Sequence, residues 1–299
     1  MRILVVGGAG FLGSHLAERL LVDGHSVDVV DDLSSGSLAN LAAARSLGGE
    51  LKIHTLDAVA DEFAALVSMR VPDVVYHLGW AGLGPLGPKQ AGRSIQSVLG
   101  LLEAARRIGG IKVVTAVSAR ALYGEVAARE LPVKEGHPWA PIGVGGVISR
   151  GIIDLLMMYR SEHAVEFTAL ALANVYGPRQ RPDGGVVAAF ARAVASGSSP
   201  TIHGDGRQTR DFVYVDDVVD SLVRAADRAG GLVVNIGTGI ATSVRDLWSL
   251  LALPDSVPPQ FDAAHIGDVG RFSVSPTRAR IHLAWAPWTT LAGGVRSLR

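Results

Sequence analysis

The chain opens on a short apolar run, Ile3–Val6, that stops at glycine. A run of that length, bounded by a turn residue, reads as a strand buried on both faces. Apolar residues then shift to helical spacing at Phe11, Leu12, Leu16 and Leu20, until Asp23-Gly24 ends the segment. Ser26–Val30 returns to the strand pattern and closes on Asp31. The alternation continues with strand patterns at Leu51–Leu56, Asp73–Leu78, Lys112–Ala116 and Phe167–Leu172. Helical patterns lie between them, including Ser94–Arg107 and Val147–Arg160. Strand and helix in turn predict an α/β fold built on a doubly wound parallel sheet, with helices on both faces.

After Asn174 the rhythm breaks. Gly177-Pro178, Arg181-Pro182 and Asp183-Gly184-Gly185 are loop chemistry, a helix is predicted over Val186–Ser196, and the tail carries Pro254, Pro258, Pro259 and Pro276. The expected division is therefore a nucleotide-binding domain over 1–173 and a smaller C-terminal substrate-binding domain over 174–299, with 211–237 returning to the first.

Composition narrows the chemistry. Hydrophobic residues make up 48% of 299 and charged residues 19%, which suits a globular chain with a substantial core. The formal net charge is zero, so no overall positive field draws in nucleic acid or an anionic membrane, and neither is an expected partner. There is no cysteine, which rules out disulfides, thiolate metal sites and a cysteine nucleophile. No metal site is predicted. The start of the chain lacks the form of a signal peptide, no apolar run reaches the roughly 18 residues of a membrane span, and the expected compartment is the cytoplasm.

The most informative stretch is Gly7-Gly8-Ala9-Gly10-Phe11-Leu12-Gly13, set between a predicted strand and a predicted helix. Glycines let backbone approach a pyrophosphate, and the helix N-terminus supplies free N–H groups and a positive dipole end. Asp31, 18 residues beyond Gly13, stands at the end of the second strand. A carboxylate there accepts both hydroxyls of an adenosine ribose and repels a 2′-phosphate, which favours NAD over NADP. Asp57, after the third strand, is placed to meet the adenine amino group. The pattern is that of a Rossmann dinucleotide site.

These residues have company along the chain: DDLSSG at 31–36, VVYHLG at 74–79, LLEAAR at 101–106, ALYG at 121–124, NVYGPRQ at 174–180, HGDGRQTRDFVYVDDV at 203–218, NIGTG at 235–239 and GDV at 267–269. Together they resemble the extended short-chain dehydrogenase/reductase family, in particular its nucleotide-sugar epimerase and dehydratase group. The resemblance covers nearly the whole chain. It implies tightly held NAD, contacted at Gly7, Gly10, Phe11, Leu12, Gly13, Asp31, Asp32, Ser35, Gly36, Asp57, Ala58, Leu78, Gly79 and Trp80. It implies a sugar-nucleotide diphosphate held by Asn174 and Arg210, with Thr201 and His203 beside the base. His265 stands where a second arginine is expected, with Arg271 nearby. The helices at Ser94–Arg107 and Val147–Arg160 resemble those that build a homodimer.

In the family a tyrosine phenolate takes a proton from a sugar hydroxyl, a lysine four residues later lowers its pKa, and a Ser or Thr hydrogen-bonds the same oxygen. Here none of the five tyrosines, Tyr76, Tyr123, Tyr159, Tyr176 and Tyr214, has Lys four residues on. One register aligns Ser149-Arg150 with the family's Ser-Lys and puts Gly146 at the tyrosine and Arg150 at the lysine. Another replaces the pair with Ile142 and Gly146. The Ser/Thr position reads Ala119, with Ser118 just before it. Ser118, Tyr123 and Arg150 are the candidate catalytic residues, Arg150 also as a ribose donor; His77 and His137 are further acid–base candidates. Two readings follow: an epimerase- or dehydratase-type enzyme with atypical acid–base residues, or a protein that binds NAD and a nucleotide sugar with little or no turnover. A third keeps the fold and applies non-redox chemistry to a non-sugar metabolite.

Overall fold

The computed structural model describes residues 1–79, 87–263 and 269–298, apart from the Pro88 side chain. In chain order the strands are β1 (Arg2–Val6), β2 (Ser26–Asp31), β3 (Leu51–Thr55), β4 (Val74–His77), β5 (Lys112–Ser118), β6 (Phe167–Leu172), β7 (Asn174–Tyr176), β8 (Thr201–His203), β9 (Thr209–Arg210), β10 (Phe212–Tyr214), β11 (Leu232–Ile236), β12 (Thr242–Ser243) and β13 (Gln260–Asp262). The helices are α1 (Phe11–Val22), α2 (Ala42–Ser46), α3 (Asp61–Arg70), α4 (Pro88–Ile108), α5 (Ala119–Tyr123), α6 (Gly143–His163), α7 (Val186–Ser196), α8 (Val215–Ala225), α9 (Val244–Leu251), α10 (Thr277–His282) and α11 (Leu291–Arg296).

Seven strands form one parallel sheet in the order β3-β2-β1-β4-β5-β6-β11. Its central strands are apolar along their length because both faces are covered: Ile3, Leu4 and Val5 of β1 and all of β6 are buried. Helices pack in two rows, α1 with α2 and α8, and α3 through α4 and α6 to α5. The strand order reverses between β1 and β4, and at such a switch point a cleft opens beyond the carboxyl ends of the strands. Register decides what lines it. Val6 is level with Val30 on one side and His77 on the other, so Gly7, Asp31 and Leu78-Gly79 leave the sheet together.

The segment 211–237 places β11 beside β6 and α8 against α1. A second, smaller core gathers Tyr176, Val187, Phe190, Ile202, Phe212, Val244, Leu247, Leu251 and Val295. The segment 174–299 is shared between the two cores: Phe272, Val274, Leu283 and Trp285 of the tail pack into the larger one. Among the described residues, no helix is long and apolar enough to cross a membrane.

Candidate functional site

The glycine turn follows β1 directly. Gly7 has φ +76°, and a Cβ on it would lie 2.6 Å from the Gly79 Cα, so only glycine lets β1 and β4 release their chains side by side. A Cβ on Gly13 would run into the Gly7 carbonyl oxygen, so Gly13 shapes the turn from beneath and does not line the cleft. Gly10 caps α1, and the N–H groups of Phe11, Leu12 and Gly13 begin the helix with no intrahelical carbonyl to receive them. Free donors beside backbone stripped of side chains fit a dinucleotide pyrophosphate.

Asp31 is 8% exposed and faces the cleft. Its carboxylate accepts from the Ala9 N–H at 2.9 Å and the Leu33 N–H at 2.9 Å, which fixes its orientation. A Cβ on Gly36 would come within 2.8 Å of that carboxylate, which explains glycine in the loop that passes over it. Burial raises the Asp31 pKa above the ordinary value, against the two N–H groups. Asp32, Ser35, Asp57, Ala58, Leu78 and Gly79 line the same cleft. Trp80 lies outside the described residues. Ser34, Gln90, Arg93, Ser94 and Ser97 also line it. The last four occupy one stripe of α4 at helical spacing. Burial pushes the Asp57 carboxyl up, but its hydrogen bond to Arg93 and that residue's charge outweigh this and bring the pKa below its ordinary value.

The candidate catalytic residues separate. Ser118 ends β5 at the carboxyl edge of the sheet, and its Oγ accepts from the Ala121 N–H at 3.3 Å. Ala119 is fully buried. Tyr123 is fully buried too, and its hydroxyl donates to Asn235 Oδ1 at 3.0 Å on β11. That strand is four spacings from β1, roughly 19 Å. Burial, then the Glu135 charge, pushes the Tyr123 pKa up to about 12. A phenol so held is a poor proton acceptor at neutral pH, and Tyr123 does not line the cleft. Arg150 departs from expectation in the same way. It is half exposed on the outer face of α6, paired with Asp154 at 3.5 Å and placed over the Trp139 ring, away from the cleft. The reason is that α6 begins at Gly143, immediately after Pro141-Ile142, and turns Gly146, Ser149 and Ile153 inward. Ile142 and Gly146 therefore stand one turn apart at the start of α6, as Gly146 and Arg150 do one turn further on. A Cβ on Gly146 would meet the Ala121 carbonyl oxygen.

His77 is fully buried, neither ring nitrogen has a hydrogen-bond partner among the described residues, and burial lowers its pKa to about 4. The His137 ring lies 6.4 Å from Tyr123, remote from the glycine turn. All five tyrosine hydroxyls are engaged elsewhere: Tyr76 with the Leu222 carbonyl, Tyr123 with Asn235, Tyr159 with Glu103, Tyr176 with the Leu291 carbonyl at 3.5 Å, and Tyr214 with Ser297.

On the substrate side, Asn174 of β7 is level with Phe212 of β10, and its N–H donates to the Asp211 carbonyl. Arg210 is 7% exposed, beside Thr209, which bridges to Arg271. Thr201 and His203 belong to β8, and Gln208 ties the His203 carbonyl to the Arg210 strand at 2.7 Å. Asn174, Arg210 and His203 thus lie in three separate two-stranded ribbons, β7 with β10, β9 with β12 and β8 with β13, with Arg271 bridged to Thr209. His265 lies outside the described residues.

Comparison with known proteins agrees with this geometry. The chain is 40% identical to a UDP-glucose 4-epimerase of Mycolicibacterium smegmatis over 309 residues, covering 99% of this chain and 96% of that one. The structure of UDP-glucose 4-epimerase from Thermotoga maritima with UDP-glucose superposes with a TM-score of 0.92 at 33% identity, covering 100% and 97% of the two chains. That of the Thermus thermophilus UDP-glucose 4-epimerase with NAD gives 0.88 at 29% identity, over 100% and 97%. Residues 3–237 match the family described as NAD dependent epimerase/dehydratase. The chain belongs to that family, a group of enzymes acting on nucleotide sugars, and its cofactor is NAD.

Proposed function

We propose that this protein is a nucleotide-sugar epimerase of the UDP-hexose type that works without the tyrosine–lysine pair. The observation that carries the reading is that an intact dinucleotide cleft has no tyrosine in it, each tyrosine hydroxyl being held elsewhere. Bound NAD supplies a hydride acceptor and donor. The chain's own residues do the rest. Asp31 holds the adenosine ribose, the turn at Gly7 and Gly10 with the N–H groups of Phe11 and Leu12 holds the pyrophosphate, and Gly13 keeps that turn in shape. Asn174 and Arg210 hold the sugar-nucleotide diphosphate, with Thr201, His203 and His265 around it, because a guanidinium offers phosphate a planar fork of donors. Ser118 hydrogen-bonds the reacting sugar oxygen, and solvent carries its proton away.

General base catalysis by a positioned group contributes roughly 10²- to 10⁴-fold, so turnover should fall below that of tyrosine-bearing relatives by about this factor. The same absence suits a chain that holds both ligands without turning them over. Similarity to the UDP-glucose 4-epimerases favours an active enzyme. We also propose a homodimer through α4 and α6, which pack together through Tyr159 and Glu103 and leave Val147 and Met157 exposed on the outer face of α6.

The test is incubation of the purified protein with UDP-, dTDP- and GDP-hexoses, with products separated by chromatography. Slow interconversion of a UDP-hexose and its 4-epimer is the expected result. Thermal stabilisation by NAD with no product from any sugar would replace this reading with the ligand-holding one.

A further inference from the structure

One end of the cleft carries three carboxylates, Asp31, Asp32 and Asp57, on the loops after β2 and β3. Among the described residues lining it, Arg93 is the one cation. Its guanidinium reaches from the second turn of α4 to Asp57 Oδ2 at 2.5 Å and to Asp32 Oδ2 at 3.6 Å. Both carboxylates are built for this. Asp32 turns Oδ1 back to the N–H and hydroxyl of Ser34, at 3.0 and 2.6 Å, and Asp57 turns Oδ1 to the Val59 N–H at 3.1 Å. Each loop therefore fixes its own aspartate and leaves the second oxygen for Arg93. One side chain ties β2, β3 and α4 across the adenosine end.

Ion pairs this exposed add little to folding stability, since Arg93, Asp32 and Asp57 are each 36 to 37% exposed. A bridge with oriented partners at the mouth of a ligand cleft has a different use. We propose that Arg93 is a strap over the adenosine half of NAD, and that it sets how slowly the cofactor leaves. The proposal takes the cleft assignment as given and adds a positioning residue that acts through Asp32 and Asp57.

The experiment compares wild type with Arg93→Ala and Arg93→Lys, each loaded with NADH and chased with excess NAD, release being followed by nicotinamide fluorescence. Arg93→Ala should release NADH roughly 10- to 100-fold faster, the range for loss of a hydrogen bond to a charged partner. The association rate should stay within about threefold and the melting temperature of the ligand-free protein within about 2 °C. ADP-ribose, which keeps the adenosine and lacks the nicotinamide, should weaken by the same factor as NAD. Arg93→Lys should fall between, because an ammonium cannot present the planar fork that spans two carboxylates. An unchanged release rate overturns the strap, as does a loss confined to association and steep in salt. A wild type that binds no NAD overturns the cleft assignment itself and the strap with it. If Arg93→Ala does not fold, Arg93→Gln carries the same test.

Discussion

Gly13→Ala is expected to destabilise the fold by roughly 3 kcal/mol and to weaken NAD binding about 100-fold or more. The added methyl would overlap the Gly7 carbonyl oxygen and come within 2.7 Å of the Gly8 Cα, contacts that only backbone movement relieves. The turn would have to lift off the start of α1. That movement takes the first-turn N–H groups away from where a pyrophosphate sits, and each charge-assisted hydrogen bond lost costs about 1.5–3 kcal/mol. Gly7→Ala should act through a different strain with the same outcome, since φ is +76° and the methyl would press on Gly79. Denaturant unfolding of the ligand-free proteins and calorimetric titration with NAD check both halves. A Gly13→Ala protein of native stability that binds NAD normally would contradict this account of the turn.

The second large effect lies away from the cofactor. Asp211 is fully buried between the two cores, and its carboxylate takes four donors: the Thr238 N–H at 2.9 Å and hydroxyl at 2.6 Å on one oxygen, the Gly239 N–H at 3.0 Å and Val274 N–H at 3.2 Å on the other. It follows Arg210 directly, so it holds the candidate diphosphate arginine against β11 and the tail. Asp211→Ala would strand three backbone N–H groups and a hydroxyl. At about 1–3 kcal/mol for each group left unsatisfied, reduced by what water recovers, the loss should be about 4 kcal/mol, or roughly 10 °C in melting temperature. Asp211→Asn should cost less, because its amide oxygen still accepts from one pair while its NH₂ faces the other. Thermal unfolding of the two variants tests the order, and equal losses would contradict it.

How far the site could be read from sequence depends on how local its parts are. The glycine turn, Asp31 and the loops at Leu56-Asp57-Ala58 and Leu78-Gly79 each follow a strand whose apolar run is plain in the sequence, and they meet in the cleft because parallel register aligns strand ends. The helix predicted over Val186–Ser196 has those bounds in the structure. Two helix starts were obscured by residues that usually break helices. Pro88 and Gly92 hide the first turns of α4, and with them Gln90 and Arg93; proline is favourable at a first helical position, which α4 uses. Gly143, Gly145 and Gly146 hide the first turn of α6. The rest was long-range. Tyr123 meets Asn235 112 positions away, and Asp211 meets Val274 across 63, so no periodicity announces either. Phe272, Val274 and Trp285 enter the main core from an irregular tail for the same reason.

As proposed, the protein joins an intact NAD half-site to a reaction centre with no tyrosine base. The most direct test is the pH dependence of turnover on a UDP-hexose between about pH 6 and 9 at saturating substrate. With hydroxide from solvent taking the proton, the logarithm of the rate should climb with a slope of roughly 1 and no plateau. A level region or an inflection near neutral pH would mean that the protein supplies a tuned base of its own, and would contradict the claim.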